Sequence, residues 1–302
     1  MSFLTIGTVA FDDIDTPFGK SGKIVGGSAS YIGLCASYFL PKVNLVAVVG
    51  DDFPESMLNE FEKRNINTEG LQIKKGEKSF YWSGKYHNDM NSRDTLVTSL
   101  NVLEHFNPVI PESYQDCKYL LLGNLTPKIQ LSVLERLRNR PKFIAMDTMN
   151  LWIDIALDDL KAVLLKIDML IVNDEEARQL TKEYSLVKAA KRILAMGPKH
   201  LIIKKGEHGA LLFSADKIFY APALPLEEVY DPTGAGDTFA AGFIAFLAQK
   251  DDVSFDTMKK AVINGCAMAS FTVEKFGVQR LLELDKNAIH ERYIAFEELV
   301  KF

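Results

Sequence analysis

The chain has 302 residues, with Lys+Arg 35 against Asp+Glu 40 and a formal net charge of −5. Hydrophobic residues at 47% and charged residues at 25% describe a globular chain able to bury a sizeable core, and exclude disordered and fibrous classes. Mild acidity without a basic block argues against nucleic acid as a partner, because phosphate backbones select clustered Lys and Arg.

Short apolar runs rich in β-branched residues alternate with amphipathic stretches. In chain order, strands are predicted at residues 3–9, 43–49, 119–122, 143–146, 169–172 and 201–204. Helices are predicted among them at 29–39, 55–63, 128–138, 157–166 and 186–196. Near-continuous apolar strands separated by helices predict an α/β fold, a mainly parallel central sheet with helices on both faces. Residues 71–102 break the pattern by alternating one by one. Phe80, Trp82 and Tyr86 share one face there, and Tyr81, Ser83 and Lys85 the other. Asn88-Asp89-Met90-Asn91-Ser92 reads as a turn into a second strand at 93–99, and Lys23-Ile24-Val25 adds a further candidate. The prediction is one domain over residues 1–302 with a small antiparallel β-sheet lid from about 12–25 and 71–102. Such a lid covers a site, pairs across a homodimer, or is a solvent-exposed hairpin.

Cys35, Cys117 and Cys266 are an odd number, far apart and without C-x-x-C spacing. They fit neither a disulfide framework nor a zinc site and point to a reducing compartment. The first residues show no basic region followed by an apolar one. The longest nearly apolar run, residues 239–248, is about half the ~20 residues needed to span a bilayer. No membrane partner is expected, and the expected location is the cytoplasm.

The chemistry concentrates in Asp231-Pro232-Thr233-Gly234-Ala235-Gly236-Asp237-Thr238-Phe239. Pro232 and two glycines enforce a non-helical turn, and the apolar run behind them propagates a buried helix. Gly234, Ala235 and Gly236 then stand at the helix start, where unpaired N–H groups meet no bulky side chain and form an anion site. Asp237 in the first turn would repel a bound phosphate unless a hydroxyl lay between them. In that case the carboxylate takes the hydroxyl proton while the N–H groups stabilise the transferring phosphoryl group. The alternative is that Asp237 only caps the helix.

The same stretch resembles the C-terminal signature of the ribokinase-like, or PfkB, family of carbohydrate and nucleoside kinases. Gly26-Gly27-Ser28-Ala29-Ser30-Tyr31 stands where that family carries a glycine pair leading into a helix. Asn173-Asp174-Glu175-Glu176 matches its Asn-x-x-Glu, and Lys204-Lys205-Gly206-Glu207-His208-Gly209 resembles the strand-turn beside its nucleotide pocket. The resemblance runs from Ile6 to about Gly277 and implies a three-layer α/β sandwich with a β lid. It implies Asp237 as general base, with Thr233, Gly234, Ala235 and Gly236 forming the anion hole. Asp12, with Asp13 as its adjacent competitor, would hold substrate hydroxyls, together with Gly26, Gly27 and Tyr31. Asn173 and Glu176 would organise Mg²⁺ through water, or form the capping box of a helix. Lys204, Gly206, Gly209 and Asn264 would border the nucleotide. The cofactors implied are ATP and Mg²⁺, with a monovalent cation left open.

Two departures bear on the substrate. Tyr31 replaces the asparagine that many sugar kinases of the family carry after the glycine pair, which argues against a simple hexose or pentose and leaves room for a nucleoside. Asp147-Thr148-Met149-Asn150-Leu151-Trp152 resembles an Asp-x-Asn-x-Arg stretch but lacks the arginine, leaving Asp147 and Asn150 as secondary contacts. Trp82 and Tyr86 could stack on a base or a sugar ring. Gly19-Lys20-Ser21 is not a Walker loop, because Ile14 stands where the loop needs glycine. The expectation is an ATP-dependent sugar or nucleoside kinase; the alternative is a non-catalytic sensor of the same ligands on the same fold.

Overall fold

Apolar alternation sorts the strands into two sheets in the computed structural model, which describes residues 2–301. The first part of the chain forms β1 (Phe3–Ile6), β2 (Ala10–Thr16), β3 (Gly19–Gly26), α1 (Ser28–Ala36), β4 (Val43–Gly50), α2 (Glu55–Lys63), β5 (Ile66–Lys74), β6 (Phe80–Tyr86) and β7 (Arg93–Ser99). Then follow β8 (Tyr119–Leu122), α3 (Pro127–Arg136), β9 (Phe143–Asp147), α4 (Asn150–Ile155), α5 (Leu157–Leu164), β10 (Met169–Asn173), α6 (Asp174–Thr181) and α7 (Leu186–Leu194). The last part carries β11 (His200–Lys204), β12 (Ala210–Ser214), β13 (Lys217–Ala221), α8 (Ala235–Lys250), α9 (Phe255–Thr272), α10 (Gln279–Glu283) and α11 (Lys286–Val300).

The large sheet has nine strands in the order β13-β12-β11-β10-β9-β8-β1-β4-β5. It is parallel from β11 to β5 and antiparallel only at the β11–β12 and β12–β13 pairs. Successive residues feed opposite cores. Tyr119 and Leu121 of β8 join Phe243 and Met258 on one face, while Leu120 and Leu122 join Leu160 and Ile193 on the other. Burial on both faces is why these strands read as continuous apolar runs, each full Leu, Ile or Val burial contributing ~1.5–3 kcal/mol. The expected α/β sandwich is present, with α8 and α9 in one helical layer. No helix among the described residues is long and apolar enough to cross a membrane. The three cysteines are free and buried.

The small sheet has the order β3-β2-β6-β7. It differs from the predicted lid in two ways. Residues 71–74 continue β5 in the large sheet, where Leu71 packs on the main core, so the lid's second part starts at Phe80. Val102, the expected far end, is buried in the other core cluster. The sheet is also mixed: β2–β3 and β6–β7 are antiparallel, whereas β2–β6 is parallel. β6 reaches β2 after an excursion through α1, β4, α2 and β5, and no hairpin constrains its direction.

The predicted strand at 3–9 splits, because the chain changes sheets after Ile6. Thr8 and Ser28 pin the crossing: Thr8 N–H donates to Ser28 Oγ at 3.0 Å, and Ser28 N–H donates to Thr8 Oγ1 at 2.9 Å. That crossing carries Asp12 out over the end of the large sheet.

Candidate active site

The α8 start is built by its own sequence. Asp231 is fully buried, and its carboxylate accepts from Thr233 N–H and Gly277 N–H, both at 2.8 Å. It thereby folds the turn and ties it to a distant segment. Gly234 follows at φ 75 as the N-cap, with no side-chain cap. A Cβ at this position would run into the ring of Tyr31, so both the backbone angle and the ring require glycine. Ala235 N–H turns back to Pro232 O at 3.2 Å, while the N–H groups of Gly236 and Asp237 have no partner among the described residues.

Asp237 is half-buried, but its Oδ1 is buried and has no hydrogen-bond partner among the described residues. Burial, reinforced by Asp147, pushes its carboxyl from 3.8 up to about 7, against the opposing charges of Lys204 and Arg93. Asp147 ends β9 and faces Lys204, which ends β11; Lys204 Nζ lies 3.4 Å from each Asp147 carboxylate oxygen. The same ammonium stands 2.8 Å from where a Cβ on Gly236 would be, directly beneath the α8 start. Burial works against its charge, but Asp147, Glu176 and Asp237 outweigh burial and hold its pKa above the ordinary lysine value. Parallel pairing of β9, β10 and β11 brings these side chains to one edge of the sheet.

Asn173 and Glu176 stand next to this cluster and form a reciprocal capping box. Glu176 N–H donates to Asn173 Oδ1 and Asn173 N–H to Glu176 Oε2, each at 2.7 Å. Burial raises the Glu176 carboxyl to about 7, partly offset by Lys204. Among the described residues no three His, Cys, Asp or Glu gather as a metal cage. Mg²⁺ keeps several waters and uses one or two carboxylates with substrate phosphates. Glu176 and Asp147, both buried and flanking Lys204, fit that mode of binding.

On the lid side, alternation along β2 decides between the neighbouring acids. Asp12 turns toward Gly26, where an added Cβ would overlap its carboxylate, whereas Asp13 accepts from the Tyr81 hydroxyl at 3.3 Å on the other face. Burial, then Asp231, raises Asp12 to about 7. Tyr31 is 1% exposed, lies against Gly234, and has a hydroxyl without a partner. Burial and the charges of Asp231, Asp12 and Asp237 push that phenol well above its ordinary value. An unpaired O–H donor thus sits among three acids. Gly27 caps α1 in a left-handed conformation, φ 87, also without a side-chain cap.

Gly206 and Gly209 bound the turn between β11 and β12, closed by Lys205 N–H to Gly209 O at 2.8 Å. Asn264 is not brought to the cluster. Its amide donates to Gly242 O at 2.8 Å, locking α9 to α8, and it lines a separate cleft of about 450 Å³ with Tyr38, Phe246 and Tyr293. Asn150 is likewise outside: it is exposed, and its Oδ1 accepts from Leu151 N–H. Trp82 is spent within the lid, donating to Thr95 Oγ1 at 3.3 Å, whereas Tyr86 is buried and accepts from the Thr233 hydroxyl at 3.1 Å. The sequence offered Asp147 only as a secondary contact and did not single out Arg93, whose charge bears on Asp237 and Glu176. The available signal for Arg93 was its place opposite Tyr86 across the hairpin turn.

The model of the pfkB family carbohydrate kinase matches residues 11–285. A cytidine kinase of Thermococcus kodakarensis is 31% identical over 251 residues, 81% of this chain and 88% of that protein. A nucleoside kinase of Methanothermobacter thermautotrophicus is 26% identical over 306 residues, covering 91% of this chain and 90% of its own length. Among solved structures, the Methanocaldococcus jannaschii nucleoside kinase superposes with a TM-score of 0.79 at 21% identity, covering 98% of this chain and 99% of its own. An aminoimidazole riboside kinase from Salmonella enterica gives a TM-score of 0.73 at 19% identity, covering 96% and 99%. These two share the fold.

Proposed function

Since the chain belongs to the pfkB carbohydrate kinase family, we propose that it transfers the γ-phosphoryl group of ATP to a hydroxyl of a nucleoside, with Asp237 as general base. The kinase class follows from the family match and from relatives that include a cytidine kinase and a nucleoside kinase. The observation that carries the finer reading is the buried, unpartnered Oδ1 of Asp237 beside the uncapped N–H groups of Gly236 and Asp237. A sensor has no use for a base there, and a binding protein gains by pairing buried polar groups.

Asp12 and the Tyr31 hydroxyl hold the acceptor so that its reacting hydroxyl points at Asp237. Asp237 takes that proton as the oxygen attacks. The α8 N–H groups and Lys204 stabilise charge on the transferring group, a preorganised arrangement that needs no rearrangement during reaction. Gly206 and Gly209 keep the nucleotide-side turn low. Mg²⁺, when bound near Glu176 and Asp147, supplies neutralising charge to the phosphates. The nucleoside preference is supported by the bulky Tyr31 and by the 31% identical cytidine kinase. The lid's outer strand β7 is an edge strand with Leu96 and Val97 exposed, which supports pairing across a homodimer; sedimentation as a monomer would exclude it.

Purified protein incubated with ATP, Mg²⁺ and a panel of nucleosides and sugars, read by ADP release, tests the assignment. Turnover with a nucleoside is expected, and turnover with sugars alone would move the acceptor class. Asp237→Asn should keep nucleotide binding and lose ~10²–10⁴-fold in turnover; near-wild-type turnover would sink the base assignment.

A further inference from the structure

We propose that Arg93, carried by the β6–β7 hairpin of the lid, completes the phosphoryl-transfer site by placing its guanidinium on the transferring group. The inference rests on the kinase reading above and adds a residue to it.

Two contacts place the hairpin across the site. Its strand β6 meets the α8 turn through the Tyr86–Thr233 hydroxyl pair at 3.1 Å. Its tip reaches the opposite wall, where Asn91 Oδ1 lies 2.5 Å from the position a Cβ on Gly206 would take. The tip is held in shape by Asp89, whose carboxylate accepts from Asn91 N–H at 3.1 Å and from Ser92 N–H at 3.0 Å. The lid therefore spans from the anion-hole turn to the nucleotide-side turn.

Arg93 stands directly opposite Tyr86 in the β6–β7 register, so both side chains share the face turned toward the site. Its guanidinium carbon lies 5.9 Å from the ring centres of both Trp82 and Tyr86, close enough for cation–π attraction to hold its direction. Among the described residues it forms no hydrogen bond and no ion pair, although its field reaches Asp237 and Glu176. The neighbouring Asp94 lies 3.1 Å from His87 Nε2 and forms no ion pair with Arg93. An exposed arginine beside two rings of β6, without an ion pair, is free to form bidentate bonds to phosphoryl oxygens.

In the transfer, the acceptor oxygen forms its bond to phosphorus as the bond to the bridging oxygen breaks, and that electron pair leaves on ADP. The acceptor proton goes to Asp237, and Arg93 keeps its own protons throughout. Because Arg93 and Asn91 sit on one hairpin, the tip that meets Gly206 also fixes where the Arg93 charge stands.

The test compares Arg93→Gln with wild type in three measurements. By calorimetry with Mg²⁺, wild type should bind the β,γ-imido analogue of ATP more tightly than ADP, and Arg93→Gln should lose about tenfold of that preference while keeping ADP affinity. Turnover should fall ~10²–10³-fold, with Arg93→Lys intermediate because it keeps charge but not the fork. The melting temperature should change little, since the guanidinium forms no hydrogen bond or ion pair and the variant loses only its exposed contacts with the Trp82 and Tyr86 rings. An unaltered triphosphate preference together with wild-type turnover overturns the proposal. A lowered melting temperature with equal loss of ADP and analogue binding also overturns it, showing a structural role. If wild type phosphorylates no acceptor, the kinase reading fails by itself, and the affinity ratio still decides whether Arg93 meets the terminal phosphoryl group.

Discussion

Two helix starts border the same site and treat their backbone groups in opposite ways. At α6, Asn173 and Glu176 satisfy each other's N–H groups through bonds of 2.7 Å. At α8, Gly234 offers no side-chain cap, and a buried carboxylate oxygen of Asp237 stands unpaired beside free N–H groups. Each buried polar group left without a partner costs roughly 1–3 kcal/mol. α6 is thus stabilised by its own sequence, and α8 carries a cost that its own side chains do not remove. Under the proposed function the contrast separates the capping residue Asn173 from the reacting residue Asp237, although both stand at acidic helix starts.

The widest break in that contrast would come from Gly234→Ala. The left-handed backbone and the Tyr31 ring both oppose a Cβ, so roughly 1–3 kcal/mol of stability and most phosphoryl transfer should be lost. Urea unfolding and ADP release would measure the two effects; a variant with wild-type turnover would show that the α8 start tolerates blockage. Tyr31→Ala, costly by itself because the ring is buried, should cost less in the Gly234→Ala background than in wild type, since the ring contact is already disrupted there.

Titration sharpens the comparison next. Asp237 is raised from 3.8 to about 7 when folded, so between those values the folded chain holds a proton that the unfolded chain has released. Its contribution is therefore most favourable below about 4, declines as pH rises to about 7, and stays unfavourable above. Asp237→Asn should melt higher than wild type at pH 8, with the gap nearly closed at pH 4. A gap that does not vary with pH would remove the buried ionisation from the account. For wild type, kcat/KM for the acceptor should climb with pH and level off above about 7, as the base ionises.

The smallest effect belongs to α6. Asn173→Ala removes one half of the capping box and should cost ~0.5–2 kcal/mol in unfolding measurements. Turnover should stay within a few-fold of wild type at saturating nucleotide and Mg²⁺. A large loss of turnover without loss of stability would make Asn173 a ligand-binding residue and erase the distinction from α8.

Much of the fold was legible because burial leaves a direct trace. β8, with both faces covered, is Tyr-Leu-Leu-Leu, and its predicted limits coincide with the observed strand. The Asp231–Asp237 turn was equally legible, since Pro232, Gly234 and Gly236 restrict the backbone locally. Asn264 misled because an asparagine on a helix is readable but its partner, the Gly242 carbonyl 22 residues away, is not. Residues 71–74 misled because polar alternation suits an edge strand of either sheet.

By itself, then, the order of residues determined the α/β layering, the glycine turn before α8 and the acid in its first turn, all of which depend on neighbours a few positions apart. Only the tertiary structure decided that Asp12 and not Asp13 turns toward Gly26, that Asp147 pairs with Lys204, and that the hairpin carrying Arg93 meets the α8 turn through Tyr86 and the Gly206 turn through Asn91. Each of those depends on sheet register and on a chain crossing between sheets. A shift of one residue in register reverses which side chains point inward, and no local pattern specifies it.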